Sequence, residues 1–362
     1  MKDKIISLSF VAFLLIFSLL SLLTPDKEVS IKERRKLASI PEITIKSLLN
    51  GTYFEKVDDY ILDQAPMRDN FRELKSFISK KVFMSKEDNG ILETQNHLFN
   101  LDATLNESSV NYFLTKINSI NQKYVTSNNA YFIYIPDKNY YLNDKNVPKK
   151  DYNKFMQMVN QNLASNIQKI DILDTLSLDN YYRTDIHWKQ ETLEKTLNKI
   201  VSSMNIFVNM PNITNTFSPF YGALYGSTIS NIKPDTITYL SSDIINNSTV
   251  YNYEKKLITK VYNNDNLNDI DRYDIYLSGA TSLLIINNKN AQNNKELVVF
   301  RDSFASSLVP LLIPAYSKIT MIDLRYLSSN YLDKIPEINI NNNTDILFIY
   351  SMPVINNSFA LK

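Results

Sequence analysis

Two polar stretches of the sequence carry the residue types that nucleophilic catalysis needs. The first, Arg301-Asp302-Ser303-Phe304, directly follows the apolar run Leu297-Val298-Val299-Phe300 and opens a stretch of helical spacing. A serine between a strand and a helix presents its hydroxyl at a sharp turn, with the first helix amides facing any negative charge that develops beside it. The bland alternative is that Asp302 or Ser303 simply caps the helix, which both residue types do well. The second stretch is Arg183-Thr184-Asp185-Ile186-His187-Trp188. A hydroxyl nucleophile needs a base, which imidazole can supply, and the imidazole needs a carboxylate to fix its tautomer. Asp185 and His187, two apart in a non-helical turn, could point to one side and hydrogen-bond. The alternative is a capping Asp beside a histidine satisfied by its neighbours. His97, with no acidic residue closer in sequence than Glu93 and Asp102, reads as structural.

Composition removes most competing chemistries. Cys 0 excludes disulfide frameworks, thiolate catalysis and iron–sulfur clusters, and His 2 leaves little for a transition-metal site. The five glycines, Gly51, Gly90, Gly222, Gly226 and Gly279, make no phosphate cradle. A formal net charge of +1 offers no field for nucleic acid, so neither a cofactor or metal nor a nucleic-acid partner is expected.

These side chains must be positioned by a core, and 44% hydrophobic residues can build one. Apolar runs at Tyr131–Ile135, Ile170–Leu173, Leu297–Phe300, Ile319–Ile322 and Ile346–Tyr350 read as buried strands. Between them, helical spacing recurs at Val110–Ile120, Phe155–Ile167, Trp188–Met204 and Phe304–Tyr316, and a helix is expected between the last two strands. Pro310 and Pro314 shorten or kink the Phe304 helix. The alternation predicts an α/β domain, a parallel sheet with helices on both faces, in which ligands bind beyond the carboxyl ends of the strands. Residues 205–274 read as an irregular insertion, with short strands at Thr236–Leu240 and Val250–Tyr253.

Upstream, Ile5–Leu23 is free of charge and just long enough to span a bilayer core of about 30 Å as a helix. Lys2 and Lys4 precede it, which predicts an N-terminus inside and the remainder exported. The competing reading is a cleaved secretory signal, although no Ala-x-Ala site follows Leu23. A charged, solvated stalk over Asp26–Pro41 comes next. Ser47–Lys80 then reads as two helices with a turn at Gln64-Ala65-Pro66-Met67. The expected domains are a transmembrane signal-anchor over 1–25, a stalk and helical leader over 26–89, and the α/β domain over 90–362.

Tyr181-Tyr182-Arg183-Thr184-Asp185-Ile186-His187-Trp188 resembles the Thr-Asp-x-His-Trp signature of the DHHW family and the related alginate O-acetyltransferase family, within the SGNH hydrolase superfamily. The resemblance extends through Glu33-Arg34-Arg35, Gly51-Thr52-Tyr53-Phe54, Asp63-Gln64-Ala65-Pro66-Met67-Arg68, Ile135-Pro136-Asp137-Lys138, Arg301-Asp302-Ser303-Phe304-Ala305 and Asp323-Leu324-Arg325-Tyr326. It implies an SGNH hydrolase-like sheet, Ser303 as nucleophile, His187 as base and Asp185 as orienting carboxylate. In the loop Leu277-Ser278-Gly279 an oxyanion-hole asparagine is expected next, but Ala280 stands there. The Ser303 and Gly279 amides could suffice, or Asn287 or Arg325 could substitute; Asp302 is a further substrate-side candidate.

The resemblance further implies an extracytoplasmic O-acetyltransferase acting on an exported polysaccharide through an acetyl-serine. A multi-spanning membrane-bound O-acyltransferase would be its acetyl donor, and the N-terminal helix would tether it to the cytoplasmic membrane. A carbohydrate acetyl esterase with the same triad, or a non-catalytic glycan-binding surface protein, is the alternative.

Overall fold

A computed structural model describes residues 2–30, 33–79, 87–125, 128–144, 147–228, 230 and 232–362. Lys80, where the expected leader ends, and Lys32 of the charged stalk lie outside the described residues. The chain divides into two compact units, Met1–Glu93 with Tyr225–Asn231, and Thr94–Leu224 with Ile232–Lys362.

The first unit begins with α1 (Lys2–Leu23), the one helix among the described residues long and apolar enough to cross a membrane. It fits a single-pass anchor or a signal sequence. After a short helix over Ile45–Leu49 come two longer leader helices, α2 (Thr52–Gln64) and α3 (Arg68–Phe77), broken at Ala65-Pro66-Met67 as Pro66 predicts. Glu33 ties the unit together. Its carboxylate accepts Arg35 Nε at 2.6 Å and Arg72 Nη1 at 2.7 Å, and it also pairs with Arg68. Burial works to raise the Glu33 pKa, yet these arginines hold it below the ordinary value.

The second unit is an α/β sandwich. Its elements are α4 (Glu107–Tyr124), β1 (Ala130–Ile135), α5 (Tyr152–Asn162), β2 (Ile167–Lys169), α6 (Glu194–Ser203), β3 (Ile213–Phe220), β4 (Asp235–Ser241), β5 (Thr249–Asn252), β6 (Leu257–Lys260), β7 (Leu283–Asn287), β8 (Glu296–Arg301), α7 (Ala305–Leu312), β9 (Lys318–Ile322) and β10 (Thr344–Ser351). Eight strands form the central sheet in the order β6-β5-β7-β9-β8-β10-β1-β2. Neighbours from β9 through β2 are parallel, whereas β7, β5 and β6 add on antiparallel. Strand periodicity of two divides the core between faces. Ile133, Val299, Leu347 and Met321 pack with Leu197 and Ile200 of α6 and Leu308 of α7. Phe132, Val298, Phe348 and Ile322 pack on the other side with Phe113 and Ile117 of α4 and Phe155 of α5. Helices therefore cover both faces.

Several sequence expectations need correction. The region 205–274 holds the strands expected at Thr236–Leu240 and Val250–Tyr253, as β4 and β5, together with two unexpected ones, β3 and β6, and β5 and β6 extend the central sheet. Leu257 and Ile258 of edge strand β6 stay exposed, so the apolar alternation that marks a half-buried strand is missing there. Strand β7 lies beside β9 in a position the sequence reading left unassigned. The strand expected at Ile170–Leu173 lies just upstream instead, as β2 (Ile167–Lys169), and Leu173–Thr175 forms a short 3-10 helix. The helix expected before β10 is only the 3-10 turn Ser329–Lys334, with Pro336 two residues beyond. The helix expected from Trp188 starts at Glu194. Trp188 instead bridges Tyr181, with Tyr182 N donating to His187 O at 3.1 Å and Lys189 N to Asn180 O at 2.7 Å. That extended pairing competes with helix formation and wins because it buries both tyrosines and the tryptophan completely.

Candidate active site

Ser303 stands just past the carboxyl end of β8, immediately before α7. Asp302 closes the turn ahead of the helix and does not cap it: its Oδ1 accepts from Phe304 N at 3.1 Å and its Oδ2 from Ser351 N at 2.7 Å. This wholly buried carboxylate thus joins the ends of β8 and β10, leaving the Ser303 hydroxyl for another partner. That partner is His187, whose Nε2 lies 2.8 Å from Ser303 Oγ. On its other side, His187 Nδ1 is 2.6 Å from Asp185 Oδ1. A carboxylate oxygen only accepts, so Nδ1 carries the proton and Nε2 is left to accept from the hydroxyl.

The loop carrying Asp185 and His187 is held from every side. Asp185 Oδ1 also accepts from His187 N at 3.0 Å, and Oδ2 accepts from Ala223 N at 2.7 Å. Asp235, on β4, accepts from Arg183 N at 3.0 Å and from the Thr184 amide and hydroxyl at 2.8 and 2.6 Å. Lys138, just beyond β1, buries its ammonium beneath the loop and donates to the carbonyls of Tyr182, Arg183 and Asp185 at 3.0, 3.3 and 2.8 Å. Burial pushes the Lys138 pKa down to about 7, against the opposing pull of Asp185 and Asp235. Trp188 bolts the loop to the serine side: its Nε1 donates to Phe304 O at 3.1 Å and Ser307 Oγ at 2.9 Å. The Tyr273 ring stacks on His187, centroids 3.9 Å apart and planes 11° from parallel.

Gly222 lets the opposing turn approach. A Cβ there would lie 2.3 Å from Asp185 Cβ and 2.5 Å from its backbone nitrogen. Gly222→Ala is therefore expected to displace the carboxylate and slow ester turnover by about 10²-fold, as stopped-flow measurement would register.

The remaining sequence candidates divide. The Ser303 amide donates to no acceptor among the described residues. The Gly279 amide is committed within its own turn, donating to Tyr276 O at 3.2 Å. Arg325 lies beyond the carboxyl end of β9, but its guanidinium grips Asp323, Nη2 to Oδ2 at 2.6 Å. Asn287 is placed at the wrong edge. It pairs with Lys318, whose parallel neighbour is Glu296 at the start of β8, the end opposite Ser303. That separation is roughly 20 Å of strand at about 3.3 Å per residue. Sequence reasoning missed Lys138 as a loop-holding group, along with Tyr273 and Asp235. Only Lys138 had a signal, in the Pro-Asp-Lys run after an apolar strand. His97 is buried and bonds Gln95 O at 3.0 Å through Nδ1, apart from this relay.

Glu191 adds a pH-sensitive element nearby. Its Oε2 is buried without a partner among the described residues, and burial raises the carboxyl from 4.5 to about 7. The folded state thus holds its proton more tightly than the unfolded chain, so the stability this contributes is full below about pH 4.5 and is lost as pH rises through about 7. Glu191→Gln should flatten that part of the thermal-stability profile, a difference of about 2 kcal/mol between pH 4.5 and 8.

A DHHW family protein from Eubacterium siraeum superimposes with a TM-score of 0.63 at 19% identity, over 76% of this chain and 94% of that one. The fold is that of a DHHW family protein. PatB1 of Bacillus cereus superimposes with a TM-score of 0.58 at 19% identity, over 73% of this chain and 96% of its own. PatB1 with a sulfonyl adduct gives 0.55 at 18% identity, covering 73% of this chain and 95% of that one. No protein-family model and no curated protein sequence matches the chain.

Proposed function

We propose that the protein is an extracytoplasmic O-acetyltransferase in which Ser303 carries the acetyl group, His187 moves the proton and Asp185 orients the imidazole. The observation that supports this most is the unbroken relay from Asp185 Oδ1 through His187 to Ser303 Oγ, at 2.6 and 2.8 Å. Ser303 Oγ attacks the carbonyl carbon of an acetyl donor while its proton passes to His187 Nε2. The Ser303 amide, without an acceptor of its own, faces the developing oxyanion. As the donor oxygen departs it takes the proton from His187, leaving acetyl-serine. A sugar hydroxyl then attacks that ester, its proton passing to His187, and as the acetyl–Oγ bond breaks His187 gives that proton to Oγ, restoring the serine and the neutral imidazole.

In this reading α1 is an uncleaved anchor with its N-terminus inside, 26–89 a leader, and 90–362 the catalytic domain on an exported polysaccharide. The anchor raises the effective concentration near a membrane-bound O-acyltransferase that supplies acetyl groups. The test is incubation with an acetyl ester and an oligosaccharide, followed by mass spectrometry of the sugar. Acetylated sugar is the expected product. Free acetate alone would make the protein an esterase, and no turnover would make it a non-catalytic binding protein.

A further inference from the structure

Helix α3 is amphipathic, but it is turned inside out for a segment surrounded by water. On its 3.6-residue wheel Met67, Phe71, Leu74, Phe77 and Ile78 share one face, and all five are exposed. The opposite face carries Arg68 and Arg72, both paired with Glu33, and the buried Ser76. Amphipathic helices of globular domains turn the apolar stripe to a core. Here the core-facing side is ionic and the apolar stripe is bare, so some apolar medium must meet it.

The neighbouring α1 indicates which medium. Among residues 4–21 of α1, Phe17 is the one that is half-buried. It meets Phe71 of α3 edge-on, with ring centroids 6.1 Å apart. Phe17 precedes Leu23 by six residues, which sets it about 9 Å inside the end of the apolar helix at about 1.5 Å per residue. Interfacial helices bury their apolar face about 5–10 Å below the headgroup boundary, the same depth.

We propose that α3 lies in the interface of the bilayer that α1 spans, its Met67–Ile78 face among the acyl chains and its arginine face turned to Glu33. The partner is lipid, and this inference rests on the reading of α1 as an uncleaved anchor. The leader is then a second membrane attachment.

The absence of cysteine makes the test clean, since every introduced thiol is unique. Full-length Leu8→Cys, Asp69→Cys and Leu74→Cys variants are labelled with an environment-sensitive fluorophore and reconstituted into phosphatidylcholine–phosphatidylglycerol vesicles. Doxyl-lipids with the spin label near the headgroup or deep in the acyl chain, and aqueous iodide, serve as quenchers. The shallow doxyl-lipid should quench the label at 74 about three-fold or more over that at 69, and doxyl-lipid should quench the label at 8 while iodide does not. If the label at 8 escapes lipid quenching, the anchor reading falls and takes this proposal with it. If 8 is quenched while 74 is open to iodide, α3 does not lie in lipid and only the proposal falls. Shielding of 74 from both iodide and doxyl-lipid would show that protein covers the face, which also overturns it.

Discussion

Ser303→Ala is expected to abolish acetyl-enzyme formation and to lower acetyl transfer on the order of 10⁵-fold. The size follows from the covalent half-reaction: without Oγ there is no atom to hold the acetyl group, and only donor binding and amide dipoles remain to speed direct transfer. The fold should not suffer. Ser303 Oγ makes its hydrogen bond to His187, while the backbone carbonyl of Ser303, which accepts from Ser306 N at 3.1 Å, is untouched. Intact-protein mass after treatment with an acetyl ester reads the effect directly, and an aryl sulfonyl fluoride gives an independent check on the same oxygen. An equal mass gain in the Ser303→Ala protein would remove Ser303 as nucleophile, whereas a collapsed melting temperature would mark the variant as a folding defect.

Asp185→Asn should cost about 10⁴-fold in transfer with little change in size or charge distribution elsewhere. The reason is that every donor around this side chain demands an acceptor. Oδ1 takes the His187 ring and backbone N–H groups at 2.6 and 3.0 Å, and Oδ2 takes Ala223 N at 2.7 Å. An asparagine has one oxygen. If its NH₂ faces His187, the ring must shift its proton to Nε2, where it can no longer accept from Ser303. If its NH₂ faces Ala223, two donors oppose each other in a buried site, at about 1–3 kcal/mol. Acylation measured across pH separates this from general unfolding: the melting temperature should fall only modestly while acylation stays slow at every pH. Wild-type acylation by the variant would show that Asp185 has no orienting role.

Much of this arrangement is local and so could be read from the chain. Strands such as Leu297–Phe300 and Ile346–Tyr350 announce themselves because a strand buried on both faces must be apolar throughout. The serine after one such strand, and the Asp-x-His turn, were recognisable from residue type and spacing. The break at Pro66 was legible for the same reason, since proline removes a donor and fixes its own backbone. Edge strand β6 was not, because Leu257 and Ile258 are both exposed and leave no alternation to read; β5 was legible near Val250–Tyr253, but not its place in the central sheet, because its partner β7 is distant in sequence.

What residue types and short spacings determined, then, was the parallel core, the apolar N-terminal helix and the two polar clusters. Folding alone decided that positions 116 apart in sequence come within 2.8 Å, that Asp302 closes the turn while Ser303 faces His187, and that Asn287 sits at the far edge. It also decided that Lys138, Asp235 and Gly222 brace the Asp185 loop from three separate segments. Periodicity reports which face of an element avoids water, a property of neighbours in sequence. The register and order of strands depend on how all those faces pack at once, and that is a property of the whole chain.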